Sequence, residues 1–204
     1  MEDNLPNDQD QLFQPEPAVG SGAWISSPAN KFLLYSEGYK KAGDALFELS
    51  RESSYHNNTI VYPMVFNYRH YCELRLKELI SMGYKYLDEP KDFKDEHSLE
   101  KLWNVYRNEI LIKVEEGIEK KTLDNVERLL IEFDKIDPKS MAFRYPVTTA
   151  PKRNPSLQMD TIDIDNFKNV IDRVANFFEW QSDMLSHYSD MKGEMLSDLY
   201  DGMI

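Results

Sequence analysis

Apolar residues recur at steps of three and four around residues 62–83, and this spacing predicts a long helix. Side chains with this spacing share one helix face, so we expect the stripe in the core. Two charged pairs on the flank, Arg69–Glu73 and Glu73–Lys77, are each four residues apart and are expected to pair along the surface. Gly83 suits a left-handed helix end. The predicted core stripe consists of Val61, Val65, Tyr68, Cys72, Leu76, Leu79 and Ile80.

The same periodicity predicts four more helices. They cover residues 27–50, 97–117, 122–138 and 165–190, and a weaker amphipathic tail at residues 191–204 continues the last of them. No segment alternates with a period of two for long enough to predict a strand. The pattern therefore predicts an all-α bundle of about five long helices.

Local signals set the expected ends of these helices. Ser27 and Pro28 favour a helix start, as a capping hydroxyl followed by a proline in the first turn. Residues 56–58, His-Asn-Asn, break the apolar pattern between the first two helices. Thr122 is expected to cap the fourth helix, and Pro138 to close it.

The domain organisation follows from length and composition. A chain of 204 residues is long enough for one substantial domain, which we place at residues 28–190. Residues 1–27 hold five carboxylates and no lysine or arginine, a composition typical of a flexible arm. Trp24 and Ile25 are apolar exceptions in it that could dock onto the domain or a partner.

Charge and cysteine content exclude several classes of protein. The formal net charge of −12 argues against coating nucleic acid through bulk charge. The single cysteine, Cys72, allows no intramolecular disulfide and is expected to be a buried thiol. No apolar run reaches the roughly 20 residues that span a bilayer, and no signal peptide is recognisable. We expect a cytoplasmic protein with no membrane partner, no cofactor and no metal.

Residues 139–159 reverse the charge of the chain, with four basic residues and no acidic one. Three prolines keep this segment out of regular helix, and loops of this length are usually functional or disordered. Arg144 could pair with an anion while Tyr145 offers a ring to a base, so we expect a nucleotide or single-stranded RNA to bind here. The alternative is that Phe143 and Tyr145 plug the bundle and the basic residues meet carboxylates of this or a second subunit. The basic residues are Lys139, Arg144, Lys152 and Arg153.

Three sequence features stand in an order that resembles the HEPN superfamily of helical bundles. Leu-Arg-Leu-Lys-Glu-Leu at residues 74–79 is followed by His-Ser-Leu at 97–99 with Leu-Trp at 102–103, and then by Arg-Tyr-Pro at 144–146. The resemblance covers about residues 30–190. It implies an antiparallel homodimer, and a place in bacterial toxin-antitoxin or phage-defence systems.

Many members of that superfamily are metal-independent ribonucleases with an arginine followed after four to six residues by a histidine. Arg51 and His56 fit this spacing. A histidine can move protons near neutral pH, and an arginine can hold a phosphate. This pair departs from the family pattern, because it lies at the exit of the first predicted helix and Glu52 follows the arginine.

The resemblance also makes Arg69, His70, His97 and Arg144 neighbours in a cationic phosphate pocket, helped by the amides of the helix that starts near Ser98. The alternative is that Arg69 and Arg144 bridge carboxylates such as Glu73, with His97 a helix-start residue.

Three hypotheses for the function follow. The first is a HEPN-like nucleotide- or RNA-binding or protein-interaction module without established catalysis. The second is a ribonuclease toxin that uses Arg51 and His56. The third is an acidic, antitoxin-like partner whose N-terminal arm covers a basic surface on another protein.

Overall fold

The computed structural model describes residues 5–13, 20–23, 25, 31–114, 117–149, 151 and 153–201. The chain divides into two compact units, Met1–Lys31 and Phe32–Ile204. In the first unit, the Asp10 amide donates to the Asn7 carbonyl at 3.2 Å and closes a turn. The flexibility expected for residues 1–27 stays a prediction, and the helix start expected at Ser27 and Pro28 lies outside the described residues.

Helices account for nearly all the regular structure of the described residues, where the only β pairing is an isolated bridge between Val147 and Pro155. The prediction of an all-α protein is thus confirmed. Across the described ranges, no helix is long and apolar enough to cross a membrane. In chain order the elements are α1 (Lys31–Glu52), α2 (Ser54–Tyr86), α3 (Leu99–Val105), the π-helical segment π1 (Tyr106–Leu111), α4 (Ile112–Val114), α5 (Lys120–Ile136) and α6 (Ile164–Asp201).

The central element is α2, which packs against α6, α3 and π1. Every residue from 71 to 80 is buried, and ten residues cover all faces of a helix. The apolar stripe predicted for this helix does lie in the core, except for the half-buried Val61. The surface pairing expected for its charged flank is wrong, because Arg69, Glu73 and Lys77 are buried as well. Neighbouring helices cover this charged flank, which would face water if only the apolar face of α2 were packed.

The helix ends differ from their predicted positions. Ser53 caps α2 by accepting the Tyr55 amide, so residues 56–58 lie inside the helix and do not break it. Gly83 is also internal, since α2 continues to Tyr86. A Cβ atom at Gly83 would clash with Cγ2 of Ile110 and lie 2.8 Å from its Cδ1, so the glycine permits close packing against π1 instead of ending α2.

One more helix end differs in the same way. Thr122 lies within α5, whose N-cap is Glu119. By contrast, residues 191–201 continue the last helix as expected, because they belong to the same 38-residue helix, α6. The tail region nevertheless leaves four large apolar side chains exposed: Met191, Met195, Leu196 and Leu199.

The segment between α5 and α6 is anchored near its start and folds back on itself further on. Asp137 Oδ1 accepts the amides of Met141 at 2.6 Å and Ala142 at 2.9 Å, and Phe143 is buried in the core. Further on, the Thr148 amide donates to the Asn154 carbonyl at 2.8 Å. Phe143 therefore plugs the bundle, as the alternative interpretation expected, whereas Tyr145 is 47% exposed.

Candidate ligand-binding surface around Arg144

Arg144 lies on the surface with its guanidinium between two aromatic rings. The guanidinium carbon is 5.5 Å from the ring centre of Phe66 and 5.4 Å from that of Tyr145. Its only hydrogen bond among the described residues is a long one, 3.5 Å, from Nη1 to the Ser140 carbonyl. Contacts with both rings restrict the side chain while the residue stays exposed to solvent, which prepares the guanidinium to bind an anion.

Two other basic residues of the segment, Lys139 and Arg153, also lack carboxylate partners among the described residues. Within the described ranges, neither Lys139 nor Arg153 forms an ion pair, and both are exposed. Arg153 has a φ of 42°, in the left-handed region. The expected pairing of these residues with carboxylates of the same chain is therefore not found for Lys139, Arg144 or Arg153. Lys152, the fourth predicted basic residue, lies outside the described residues.

An aromatic cluster connects Arg144 to α1. Phe66 stacks on His70 with ring centres 5.7 Å apart and planes 11° from parallel. Tyr39 meets the imidazole edge-on at 4.4 Å and the Phe66 ring edge-on at 6.4 Å. Burial lowers the pKa of His70, and the charges of Arg69 and Lys77 lower it further against the opposing effect of Glu73. His70 is consequently neutral at pH 7 and contributes a ring, not a cation, to this surface.

Arg69 lies beneath this surface, not on it. Its side chain is 0% exposed, and its guanidinium donates to Glu73 Oε2 at 3.1 Å and to the His97 carbonyl at 2.5 Å. A third donation, from Nε to the Asp137 carbonyl at 3.3 Å, ties it to the start of the 139–159 segment. This corresponds to the alternative expected from sequence, in which Arg69 bridges carboxylates, so Arg69 positions the segment and cannot reach a ligand.

His97 and the start of α3 are engaged by carboxylates of the same chain. His97 Nδ1 lies 2.8 Å from Glu73 Oε1 while the side chain remains 58% exposed. Asp134 accepts the amides of Leu99 at 3.0 Å and Glu100 at 2.9 Å, as negative charge favours a helix start. The amides near Ser98 that were expected to hold a phosphate are therefore occupied by Asp134.

Arg51 and His56 have different partners. Arg51 Nη1 forms an ion pair of 2.6 Å with Asp165, and its guanidinium lies over the Phe47 ring. His56 Nδ1 lies 3.4 Å from the Leu49 carbonyl. Among the described residues no contact joins Arg51 to His56. Ribonuclease action by this pair stays a prediction.

Two clefts open near Arg144. The Arg144 cleft, of about 410 Å³, is lined by Arg144, Tyr145, Pro146 and Pro155 together with apolar side chains. The Asn57 cleft, of about 730 Å³, lies where α1 meets α2 and is closed on its far side by the segment leading into α6. The sequence did not indicate the second cleft, because its polar side chains come from residues 50–58 and 160–165, which are far apart along the chain.

In the described part of the chain, no group of three or more histidine, cysteine or acidic side chains is placed to hold a metal ion. Cys72 is buried in the core, which raises the pKa of its thiol to about 12. The surface thus offers guanidinium, aromatic and hydroxyl groups as its chemistry.

No family model, curated protein or solved structure matches this chain. The HEPN resemblance rests on the sequence features at residues 74–79, 97–103 and 144–146 alone.

Proposed function

We propose that this protein is a HEPN-like binding module that holds a ligand with a phosphate and a base, a nucleotide or single-stranded RNA, at the Arg144 surface. The observation that carries the proposal is the exposed guanidinium of Arg144, which lies between Phe66 and Tyr145 and has no carboxylate partner in the described chain. The resemblance places such a module in bacterial toxin-antitoxin or phage-defence systems.

The charge distribution supports this choice of ligand. In a chain of net charge −12, most of the surface repels a phosphate, so a ligand is drawn to the local patch that carries cations without acids. Lys139 and Arg153 extend that patch on either side of Arg144 in sequence. Because few cations take part, affinity is expected to be modest and to fall as salt rises.

The aromatic groups support a ligand that carries a base. Tyr145 and Tyr62 both line the Arg144 cleft and are each 47% exposed, so a base can stack on one of these rings while its phosphate meets Arg144. An inorganic anion would contact the guanidinium and leave the aromatic rings unused. We propose binding here and no catalytic step.

The test is equilibrium binding of a fluorescent single-stranded RNA, with a panel of nucleotides as competitors, at low and moderate salt. Arg144→Ala is expected to weaken binding about tenfold or more, since it removes a charge-assisted contact and a stacking partner. Arg144→Lys should recover only part of the affinity, because an ammonium keeps the charge without the planar fork.

Arg173→Ala is the matched control. Arg173 is an exposed arginine on α6 with no ion pair in the described residues, so its removal changes the net charge equally. Equal binding by Arg144→Ala and Arg173→Ala would show that only overall charge matters and would overturn the proposal. Absence of binding by the wild-type protein would overturn it too.

A further inference from the structure

The Asn57 cleft and the Arg144 cleft are neighbours. Both are lined by Tyr62, Phe143, Leu157 and Met159, so the two clefts adjoin along these side chains. Phe143 directly precedes Arg144 in the chain. A ligand whose phosphate lies at Arg144 therefore has an adjoining cleft of about 730 Å³ for its next group, within the ~300–1,000 Å³ of typical ligand sites.

The charges that line the Asn57 cleft are unsuited to a second phosphate. Asp160, Asp163 and Asp165 all line it, and Arg51, the one cation there, is already paired with Asp165. Asp163 accepts the Asn166 amide at the start of α6. Asp160 has no hydrogen bond or ion pair among the described residues. These carboxylates repel a phosphate and accept hydrogen bonds from hydroxyl groups.

An unpaired amide oxygen supplies a second reason to expect a polar, uncharged group. Oδ1 of Asn57 is buried and has no hydrogen-bond partner in the described residues. Buried polar atoms are nearly always paired, and Asn57 lines the cleft, so a donor that enters the cleft would satisfy this acceptor once the amide turns toward it. Tyr62, which is 47% exposed at the junction of the two clefts, offers a ring for stacking.

We infer that the Asn57 cleft is a nucleoside subsite. It takes the base and ribose of a nucleoside 5′-phosphate whose phosphate lies at Arg144, with Asp160 accepting a hydrogen bond from the free 2′,3′-diol. This inference rests on the proposed function and deepens it. The same chemical unit occurs in a free ribonucleotide and in the 3′-terminal residue of an RNA, and a phosphate on the 3′ oxygen is excluded in both.

The test compares ligands that differ only at the 3′ oxygen. One arm uses a 5′-labelled single-stranded RNA that ends in a 3′-hydroxyl or in a 3′-phosphate. The other arm titrates ribonucleoside 5′-monophosphates against the corresponding 3′,5′-bisphosphates by calorimetry. The 3′-phosphate is expected to weaken binding about tenfold, through repulsion by the cleft carboxylates. If the 3′-phosphate weakens binding of the RNA but not of the free nucleotide, the ligand is an RNA end. If it weakens binding in both arms, the cleft accepts free nucleotides as well.

Two variants connect the discrimination to the cleft. Asp160→Asn should reduce the penalty for a 3′-phosphate, and because Asp160 is exposed this variant is expected to fold normally. Asn57→Ala should weaken binding of the 3′-hydroxyl ligand several-fold by removing an acceptor. Asn104→Ala, at an exposed position on α3, is the matched control. It should change neither the affinity for the 3′-hydroxyl ligand nor the penalty for a 3′-phosphate.

The outcomes separate this inference from the function on which it rests. If 3′-hydroxyl and 3′-phosphate ligands bind equally and Arg144→Ala weakens both, the Asn57 cleft is not the nucleoside subsite, although the proposed function stands. If Arg144→Ala changes nothing, both fail. A 3′-phosphate penalty that persists in full in Asp160→Asn would also overturn the inference.

Discussion

Arg69 and Glu73 form an ion pair of 3.1 Å in the interior, where their side chains are 0% and 1% exposed. Lys77 Nζ also donates to Glu73 Oε1 at 2.9 Å, and His97 Nδ1 lies 2.8 Å from the same oxygen. Arg69 reaches Asp134 at 3.4 Å, on α5. The cluster thus joins α2 to the start of α3 and to the end of α5, and through the Asp137 carbonyl it holds the segment that carries Arg144.

Glu73→Ala is expected to lower the free energy of unfolding by about 3–5 kcal/mol, because it removes the buried carboxylate that Arg69 and Lys77 share and leaves Asp134 as the remaining buried carboxylate partner of Arg69. Urea denaturation followed by circular dichroism measures this change. The matched control is Glu132→Ala, which breaks a pair with the same arginine-to-glutamate spacing, Arg128–Glu132, whose side chains are 62% and 64% exposed. That control should cost no more than ~0.5 kcal/mol. Similar losses in the two variants would mean that the buried cluster contributes no more than a surface pair.

The stabilising effect of Glu73 should depend on pH. Burial raises the pKa of Glu73, but hydrogen bonds from Lys77 and His97 and the nearby positive charges outweigh it, so the pKa lies below its ordinary 4.5. A carboxyl whose pKa is lowered by folding stabilises the folded state above its unfolded pKa and loses this effect as the pH falls through the folded pKa. The difference in unfolding free energy between wild type and Glu73→Gln should be constant near neutrality and shrink below pH 4.5. Urea denaturation at a series of pH values tests this, and a constant difference down to acid unfolding would contradict it.

Gly83→Ala should destabilise the protein by about 1–3 kcal/mol, because the added methyl group meets Ile110 in a packed interface. The double variant with Ile110→Ala, which removes the clashing atoms, should be less sensitive to the added methyl group. Gly193→Ala is the control within a helix: its Cβ would meet nothing within 4 Å, so the change should stabilise by ~0.5–1 kcal/mol. If Gly83→Ala also stabilised the protein, Gly83 would not be required for the close approach of π1.

Gly83 also shows what the sequence alone could predict. Apolar periodicity located the helices around Cys72 and Trp103 correctly, because burial of one face is encoded at steps of three and four. The end of α2 was predicted wrongly, since a glycine serves equally as a helix stop and as a gap for a neighbouring side chain. Only the position of Ile110 distinguishes the two roles, and Ile110 is remote in sequence.

The candidate site was predictable in the same partial way. The acid-free segment drew attention to Arg144 and Tyr145, since charge reversal in an acidic chain is visible without a structure. The burial of Arg69 could not be predicted from the sequence, because opposite charges four residues apart occur both on helix surfaces and in buried ion pairs. The Asn57 cleft joins residues near 57 and 160, and no local pattern connects them.

Cys72 provides a probe of the core in which the candidate surface is anchored. Burial raises the pKa of its thiol to about 12, and the thiolate is the reactive form. At pH 8 the native protein should react with a soluble thiol reagent on the order of a thousandfold more slowly than the urea-unfolded protein, from thiolate fraction alone. Because the chain has a single cysteine, the absorbance of the released thiol measures this site directly. Rapid reaction of the native protein would show that α2 opens on the time scale of the assay, and the Arg144 surface, which depends on Phe66 and His70 of the same helix, would then not be preformed.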